Sequence, residues 1–277
     1  YLLDIYMVKI NEDGSLGEPE KFPFEINSKD YHEGSAVISS DGNSMFFTKM
    51  DPNNRNETKI FASRKFNNQW LKPFALDNTV NMDGFRSMNP YLTADGKTLY
   101  FIRGIVRHKQ MRSSKEQDIW KTEIQEDGSW ATPKKLSNVI NTPGREESVV
   151  IHPDGQTLYF ASDGHTGMGG LDIYMSRLGA DGEWQKPVNL GPAVNSASDE
   201  VFPSVSQTKL SFSSNRQGIG GLDLYLFDLG SEKPSILLDT SINTNSDEFS
   251  LISKDNFQSG YYTSNKDGKD ELFKFNL

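Results

Sequence analysis

The chain has 277 residues, 38 acidic against 29 basic, a net charge of −9 and no cysteine. That balance argues against the basic, phosphate-tracking surface of a nucleic-acid binder. The missing cysteine excludes a disulfide scaffold, a cysteine zinc site and a thiol nucleophile, and no apolar run approaches the roughly 18 residues of a membrane-spanning helix.

The first expected elements are a strand over residues 2–9, which carries Asp4-Ile5-Tyr6, and a second over about 18–26. From there the chain repeats itself. The polar–aliphatic–aromatic triplet returns as Lys59-Ile60-Phe61, Asp118-Ile119-Trp120, Asp172-Ile173-Tyr174, Asp223-Leu224-Tyr225 and Glu271-Leu272-Phe273. Asn27, Asn81, Asn141, Asn195 and Asn243 keep the same spacing. So do the turns Asp41-Gly42, Asp95-Gly96 and Asp154-Gly155, which degrade to Gln207-Thr208 and Asp255-Asn256. Three independent markers with one period of about 50 residues divide a single domain, 1–277, into units at 1–26 (partial), 27–80, 81–140, 141–194, 195–242 and 243–277.

Unit 195–242 shows what each repeat contains. Glu200 to Ser206 reads as a strand a, Lys209 to Ser214 as b, Leu222 to Phe227 as c and Ser235 to Leu238 as d. Asp-Gly between a and b predicts a type I′ hairpin, in which both central residues have positive φ. Trp70, Trp130 and Trp184, shortly before Pro73, Pro133 and Pro187, are expected to open the outer strand, where a missing N–H costs little. A last c strand falls at 270–276. No long segment keeps a 3.6-residue apolar period. Four short antiparallel strands per repeat define an all-β fold, the β-propeller, with strands a and b occurring five times, c six times and d five times. Five and a half blades are visible, which leaves open a five-bladed closure or a six-bladed ring completed by residues outside this chain.

The segments Asp163-Gly164-His165-Thr166-Gly167-Met168-Gly169-Gly170-Leu171-Asp172-Ile173-Tyr174 and Trp184-Gln185-Lys186-Pro187-Val188-Asn189-Leu190-Gly191-Pro192-Ala193-Val194-Asn195 resemble the WD40-like PD40 repeats. These occur in OmpA-family envelope proteins of Bacteroidetes, PorE-like components of the type IX secretion system among them, and the repeat is similar to that of TolB-like propellers. The resemblance implies a six-bladed, non-catalytic propeller in the periplasm, associated with the outer membrane. It further implies a protein-interaction scaffold that links secretion machinery or outer-membrane partners to the cell wall, with peptidoglycan contacted only through a flanking domain. A peptide in the channel mouth is a further partner this reading allows, and no cofactor or metal is implied.

Propeller connectivity puts the d-to-a and b-to-c loops at one end of each blade, the mouth of the channel. Counting back six residues from Ser39, Thr93, His152, Ser206 and Ser253 gives Glu33, Ser87, Glu146, Glu200 and Asp247, a mostly acidic series expected to ring that mouth. It reads either as a binding ring for a cation, basic peptide or sugar, or as carboxylates that brace their own loops. The segment from Arg103 to Lys115 adds Arg107, His108, Lys109 and Arg112, a basic patch at the same end that reads as a solvated loop or as a dock for an acidic partner. The Asn series reads as turn chemistry, and the Gly169-Gly170 and Gly220-Gly221 pairs as tight loops rather than phosphate cradles.

No Gly-x-Ser-x-Gly elbow, His-Glu-x-x-His or Walker motif occurs, and His32, His108, His152 and His165 lack ligand spacing. The expectation is therefore no enzyme. The alternative is a carbohydrate-binding or carbohydrate-cleaving propeller that uses the acidic ring, with Tyr31, Phe85 and Phe202 as the available aromatic platforms.

Overall fold

A computed structural model describes residues 3–7, 17–23, 25–105, 116–253, 256–268 and 270–277. The fold is a β-propeller of small antiparallel sheets, with no helix among the described residues. The chain divides into two compact halves, Tyr1–Leu136 and Ser137–Leu277, and the division falls just after the outer strand of unit 81–140.

In the N-terminal half, β1 (Tyr6–Met7) pairs with β2 (Glu20–Lys21) as an isolated c–d ladder. The first blade follows as β3 (His32–Ile38), β4 (Ser44–Met50) and β5 (Thr58–Phe66), with β6 (Gln69–Trp70) and β7 (Phe74–Ala75) both on the outer side of β5. The second is β8 (Phe85–Leu92), β9 (Thr98–Ile105), β10 (Gln117–Glu123) and β11 (Lys134–Lys135). In the C-terminal half, the third blade is β12 (Glu146–Ile151), β13 (Thr157–Ser162), β14 (Asp172–Arg177) and β15 (Val188–Asn189). The fourth is β16 (Glu200–Val205), β17 (Lys209–Ser214), β18 (Asp223–Asp228) and β19 (Ile236–Leu237). The fifth is β20 (Glu248–Ile252), β21 (Ser259–Ser264) and β22 (Glu271–Asn276). Apart from the added β6, the strand census is the one the repeat predicts.

The triplets explain the packing. Their aliphatic member, Ile60, Ile119, Ile173 or Leu224, is fully buried. In the N-terminal half, Ile60, Leu76 and Val80 of the first blade pack against Leu92, Leu99 and Phe101 of the second. In the C-terminal half, Ile173 and Val194 meet Leu210 and Phe212, and Leu224 and Ile242 meet Leu251 and Tyr262. The core of each half therefore lies between successive blades, and each such side chain contributes about 1.5–3 kcal/mol by its removal from water. The aromatic member faces the other way and stands opposite a second ring on strand b: Phe47–Phe61, Phe101–Trp120, Phe160–Tyr174, Phe212–Tyr225 and Tyr262–Phe273.

The Asn series fastens one repeat to the next. The amide of Ile60 donates to Asn81 Oδ1 at 2.8 Å, and Asn81 Nδ2 donates back to the Ile60 and Leu76 carbonyls. Asn27 does the same at Ile5, Asn195 at Ile173 and Asn243 at Leu224. Each side chain thus closes the d-to-a loop onto the triplet of the preceding c strand, a longer reach than the local turn bonding expected for Asn.

Two local expectations are corrected. In the Asp-Gly turns only the glycine is left-handed, as at Gly42, Gly96 and Gly155, so the turn is not type I′. Ser39 and Thr93 hydroxyls bond Asp41 and Asp95 instead, and these aspartates accept the amides of Asn43 and Lys97, which keeps them at negative φ. Trp130 and Trp184 do not open strand d. They form single bridges to Ile124 and Leu178 beyond the end of strand c, and the proline separates them from the outer strand.

Every a strand carries a bulge, and one left-handed non-glycine residue marks each: Ser35, Asn89, Ser148, Phe202 and Ser250, with φ between 48° and 55°. The extra residue bends the strand and increases its local twist.

Candidate functional site

The residues at the loop end of each blade line up in one row across strands a, b and c. Register gives Glu33–Lys49–Lys59 in the first blade and Ser87–Arg103–Asp118 in the second. The third, fourth and fifth have Glu146–Ser162–Asp172, Glu200–Ser214–Asp223 and Glu248–Ser264–Glu271. The acidic series therefore continues at Glu248, not Asp247. β20 is one residue shorter than β16, so counting back from Ser253 overshoots by one. Asp247 instead accepts the Leu222 amide at 2.9 Å, as Asp199 accepts that of Leu171.

In the three C-terminal rows the glutamate is buried and engaged by its own blade. Glu146 accepts the Thr142 amide and hydroxyl and the Ser162 hydroxyl, at 2.6–3.0 Å. Glu200 accepts the same set from Ser196 and Ser214, and Glu248 from Thr244 and Ser264. Glu200 gains Arg216 Nη2 at 2.9 Å as well. Both oxygens of each carboxylate face donors of the blade rather than open solvent. Ser87, which has no carboxylate, donates its hydroxyl to the Val80 carbonyl at 2.7 Å and is equally buried.

A basic side chain also recurs in every blade, and sequence spacing hides it because its position shifts. Arg216, two residues beyond β17, lies 4.6 Å from the Tyr225 ring and donates to the Val194 carbonyl. Lys266 lies 3.6 Å from the Phe273 ring, and the His165 ring lies tilted 5.1 Å from that of Tyr174 with Nε2 at 2.7 Å from the Ile140 carbonyl. In the N-terminal half the base moves into strand b itself. Arg103 sits 4.2 Å from the Trp120 ring and donates to the Thr79 and Val80 carbonyls; burial lowers its pKa to about 10. It is a buried stacking group and not part of a solvated patch. Arg107, Lys109 and Arg112, with His108, lie outside the described residues.

The first blade departs furthest from the pattern. Lys59 replaces the acid found at this point in every other triplet, and Lys49 stands directly opposite it. Lys49 Nζ lies 3.4 Å from Glu33, 4.6 Å from the Tyr31 ring and 5.4 Å from the Phe61 ring. Burial raises the Glu33 pKa, with the Ser28 hydroxyl at 2.5 Å and the Lys49 charge working against that rise. A cleft of about 380 Å3 opens beside this row, lined by Tyr31, Lys49, Asp51, Glu57, Lys59 and Phe61. Asp51 and Glu57 close the b-to-c loop through the bond from the Asp51 amide to the Glu57 carbonyl, and Tyr31 comes from the d-to-a loop.

The other expected platforms lie apart from this cleft. Phe85 faces Arg103 at 5.7 Å, and Phe202 packs 5.5 Å from Phe249 while 37% exposed. His32 accepts the Leu3 amide, and His152 lies 3.1 Å from the Gln207 carbonyl.

No family model and no curated protein matches this chain. Among solved structures, it is similar over 97% of its length to a puromycin-hydrolyzing peptidase of Mycobacterium tuberculosis, at 14% identity and a TM-score of 0.56. It is similar over 99% of its length to the Hadza microbial sialidase Hz136, at 12% identity and a TM-score of 0.58. The chain spans 41% and 59% of those two proteins. A TolB-designated protein of Agrobacterium tumefaciens shares 17% identity at a TM-score of 0.54, with 99% of this chain and 91% of that one covered. These likenesses show the propeller fold, and they correct one expectation. The absence of catalytic motifs does not set this chain apart from enzymes, because the same fold forms part of a peptidase and a sialidase, and a fold by itself does not decide chemistry.

Proposed function

We propose that this chain is the protein-interaction module of a cell-envelope protein, of the PD40 type found in periplasmic OmpA-family and type IX secretion components at the outer membrane. The observation that supports this most is the division of labour in the d-to-a loops. Their carboxylates are turned inward, while their tips, Pro143, Ala197 and Asn245, are exposed at the same point of three successive blades. Rigid blades that hold variable tips suit contact with a folded partner through several loops at once. The TolB-designated fold neighbour and the PD40-like segments agree with a periplasmic setting, and contact with the cell wall belongs to a flanking domain in this reading.

The experiment is photo-crosslinking in the native envelope, with the probe placed in turn at Pro143, Ala197 and Asn245 and a control at exposed Asp181 in a loop beyond strand c. Discrete adducts to one protein from at least two tips, absent from the control, are expected. Tips that crosslink no better than Asp181 sink the proposal.

A further inference from the structure

From the row Glu33–Lys49–Lys59 we infer that the cleft of the first blade is a binding site for an acidic sugar, a hydroxylated ring that carries one carboxylate. Two like charges conflict in this row. Lys49 and Lys59 are directly opposite on adjacent strands, an arrangement in which like charges destabilise a sheet. Every other full blade places an acid where Lys59 stands. This row alone among the five has more ammonium than carboxylate groups, and the excess falls where the protein opens a cleft.

The existing counterions do not remove the conflict. Glu33 neutralises Lys49 from behind, at 3.4 Å, but its own burial disfavours the charged form. Glu57 meets Lys59 at 3.6 Å, with both side chains about half exposed, which makes this a weak and displaceable surface pair. An anionic group seated between the two ammonium groups would relieve their repulsion, and Lys49 is already held for the task by the Tyr31 and Phe61 rings.

The rest of the wall selects what carries that anion. Asp51 and Glu57 bring carboxylates to the lining, which accept hydrogen bonds from hydroxyl groups and reject a second negative charge. Tyr31 and Phe61 supply the apolar share of the lining. A volume of about 380 Å3 is at the small end for ligand sites and suits one or two rings rather than a long chain. One carboxylate, several hydroxyls and an apolar ring face are the features of a uronic-type sugar. This site is separate from the loop tips proposed to contact proteins, and either can fail without the other.

The test is titration of the purified chain with glucuronate, followed by ligand-observed NMR and by the lysine side-chain signals, with glucose and a free-carboxylate dipeptide as comparators. The variant is Lys59→Asp, which supplies the acid that the other repeats carry there, aspartate in all but Glu271, and so keeps the fold. We expect saturable binding of glucuronate, at least tenfold weaker binding of glucose, and at least tenfold loss in Lys59→Asp at unchanged melting temperature. Equal binding of glucose, or of glucuronate by the variant, overturns the inference. So does saturable binding of the dipeptide alone, which would assign the cleft to a polypeptide terminus, or the absence of any saturable signal.

Discussion

The same row of three side chains is built in two ways in the two halves of the chain. In the C-terminal half, three successive blades fill it with two acids and a serine, and draw the base for the aromatic ring from the loop that follows strand b. In the N-terminal half the base lies within strand b, as Lys49 and Arg103, and the row loses one acid in each blade. Where the repeat is kept, the glutamate of strand a is held through both oxygens by local donors and serves the blade. Where it is broken, the first blade has paired lysines, a glutamate with a raised pKa and an open cleft. Local departures from an otherwise consistent pattern are where function is to be sought, and here the departure and the cleft coincide.

The difference extends to the glycines, and the costliest substitution falls at Gly169. Gly169 lies against the next d-to-a loop, where an added Cβ would stand 2.1 Å from the Ser198 carbonyl oxygen and 2.5 Å from that of Ser196. Both are backbone atoms and cannot swing aside. Gly169→Ala should cost about 4 kcal/mol or more, read as a shifted denaturant midpoint. Gly104→Ala in the N-terminal half meets the end of Arg86 at 3.3 Å, a flexible side chain, and should cost about 1 kcal/mol or less. Equal costs would remove the contrast between the locked loop at Gly169 and the looser packing around Gly104 near the end of β9.

The glutamates separate the two halves as well. Glu200→Ala strands the Ser196 amide and hydroxyl and the Ser214 hydroxyl, removes the ion pair of Arg216, and should cost about 3–5 kcal/mol. Glu33→Ala removes the bonds from the Ser28 hydroxyl and amide and a longer ion pair but frees no strand-b serine and leaves Lys49 its two rings, so about 1–2 kcal/mol is expected. Urea unfolding of both variants checks the order, and a Glu33 variant as damaged as the Glu200 variant would make the first blade as structural as the rest.

What the sequence disclosed were features fixed to one residue type at one register. The triplets, the Asn series and the Asp-Gly turns give the strand order because each is a local device repeated in place. The direction of a glutamate is not local in that sense. It depends on donors in the preceding loop, and the available signal was a Ser or Thr four residues earlier, as in Thr142–Glu146, Ser196–Glu200 and Thr244–Glu248. The same signal would have chosen Glu248 over Asp247. The basic partner of each ring was illegible because it moves between strand and loop, so no fixed spacing carries it from Lys49 to His165 or Arg216. The cleft itself rests on Lys59 facing Lys49 across a ladder, and residues ten apart meet only once the hairpin register is known.

The smallest effect concerns pH and isolates Glu33. Burial is the leading cause of its raised pKa, above the ordinary 4.5, so the folded chain holds this proton more tightly than the unfolded chain does. Its contribution to stability is then complete below the ordinary glutamate range and is lost as pH rises through the folded value. Glutamine at this position has no charge to bury at any pH. The stability of the native chain relative to Glu33→Gln should therefore fall as pH rises from about 4 toward neutrality and then level. The fall is bounded by the release of one proton, about 1.4 kcal/mol per pH step. Asp41 and Asp95, whose pKa values are lowered first by the Ser39 and Thr93 hydroxyls, act in the opposite sense, but they are common to both proteins and cancel in the comparison. Urea midpoints of the two proteins across that range measure it. A difference that grows with pH would mean that Lys49 outweighs burial and holds Glu33 as a carboxylate. The two lysines would then be better neutralised from behind, and an anionic ligand in the cleft would have less repulsion to relieve.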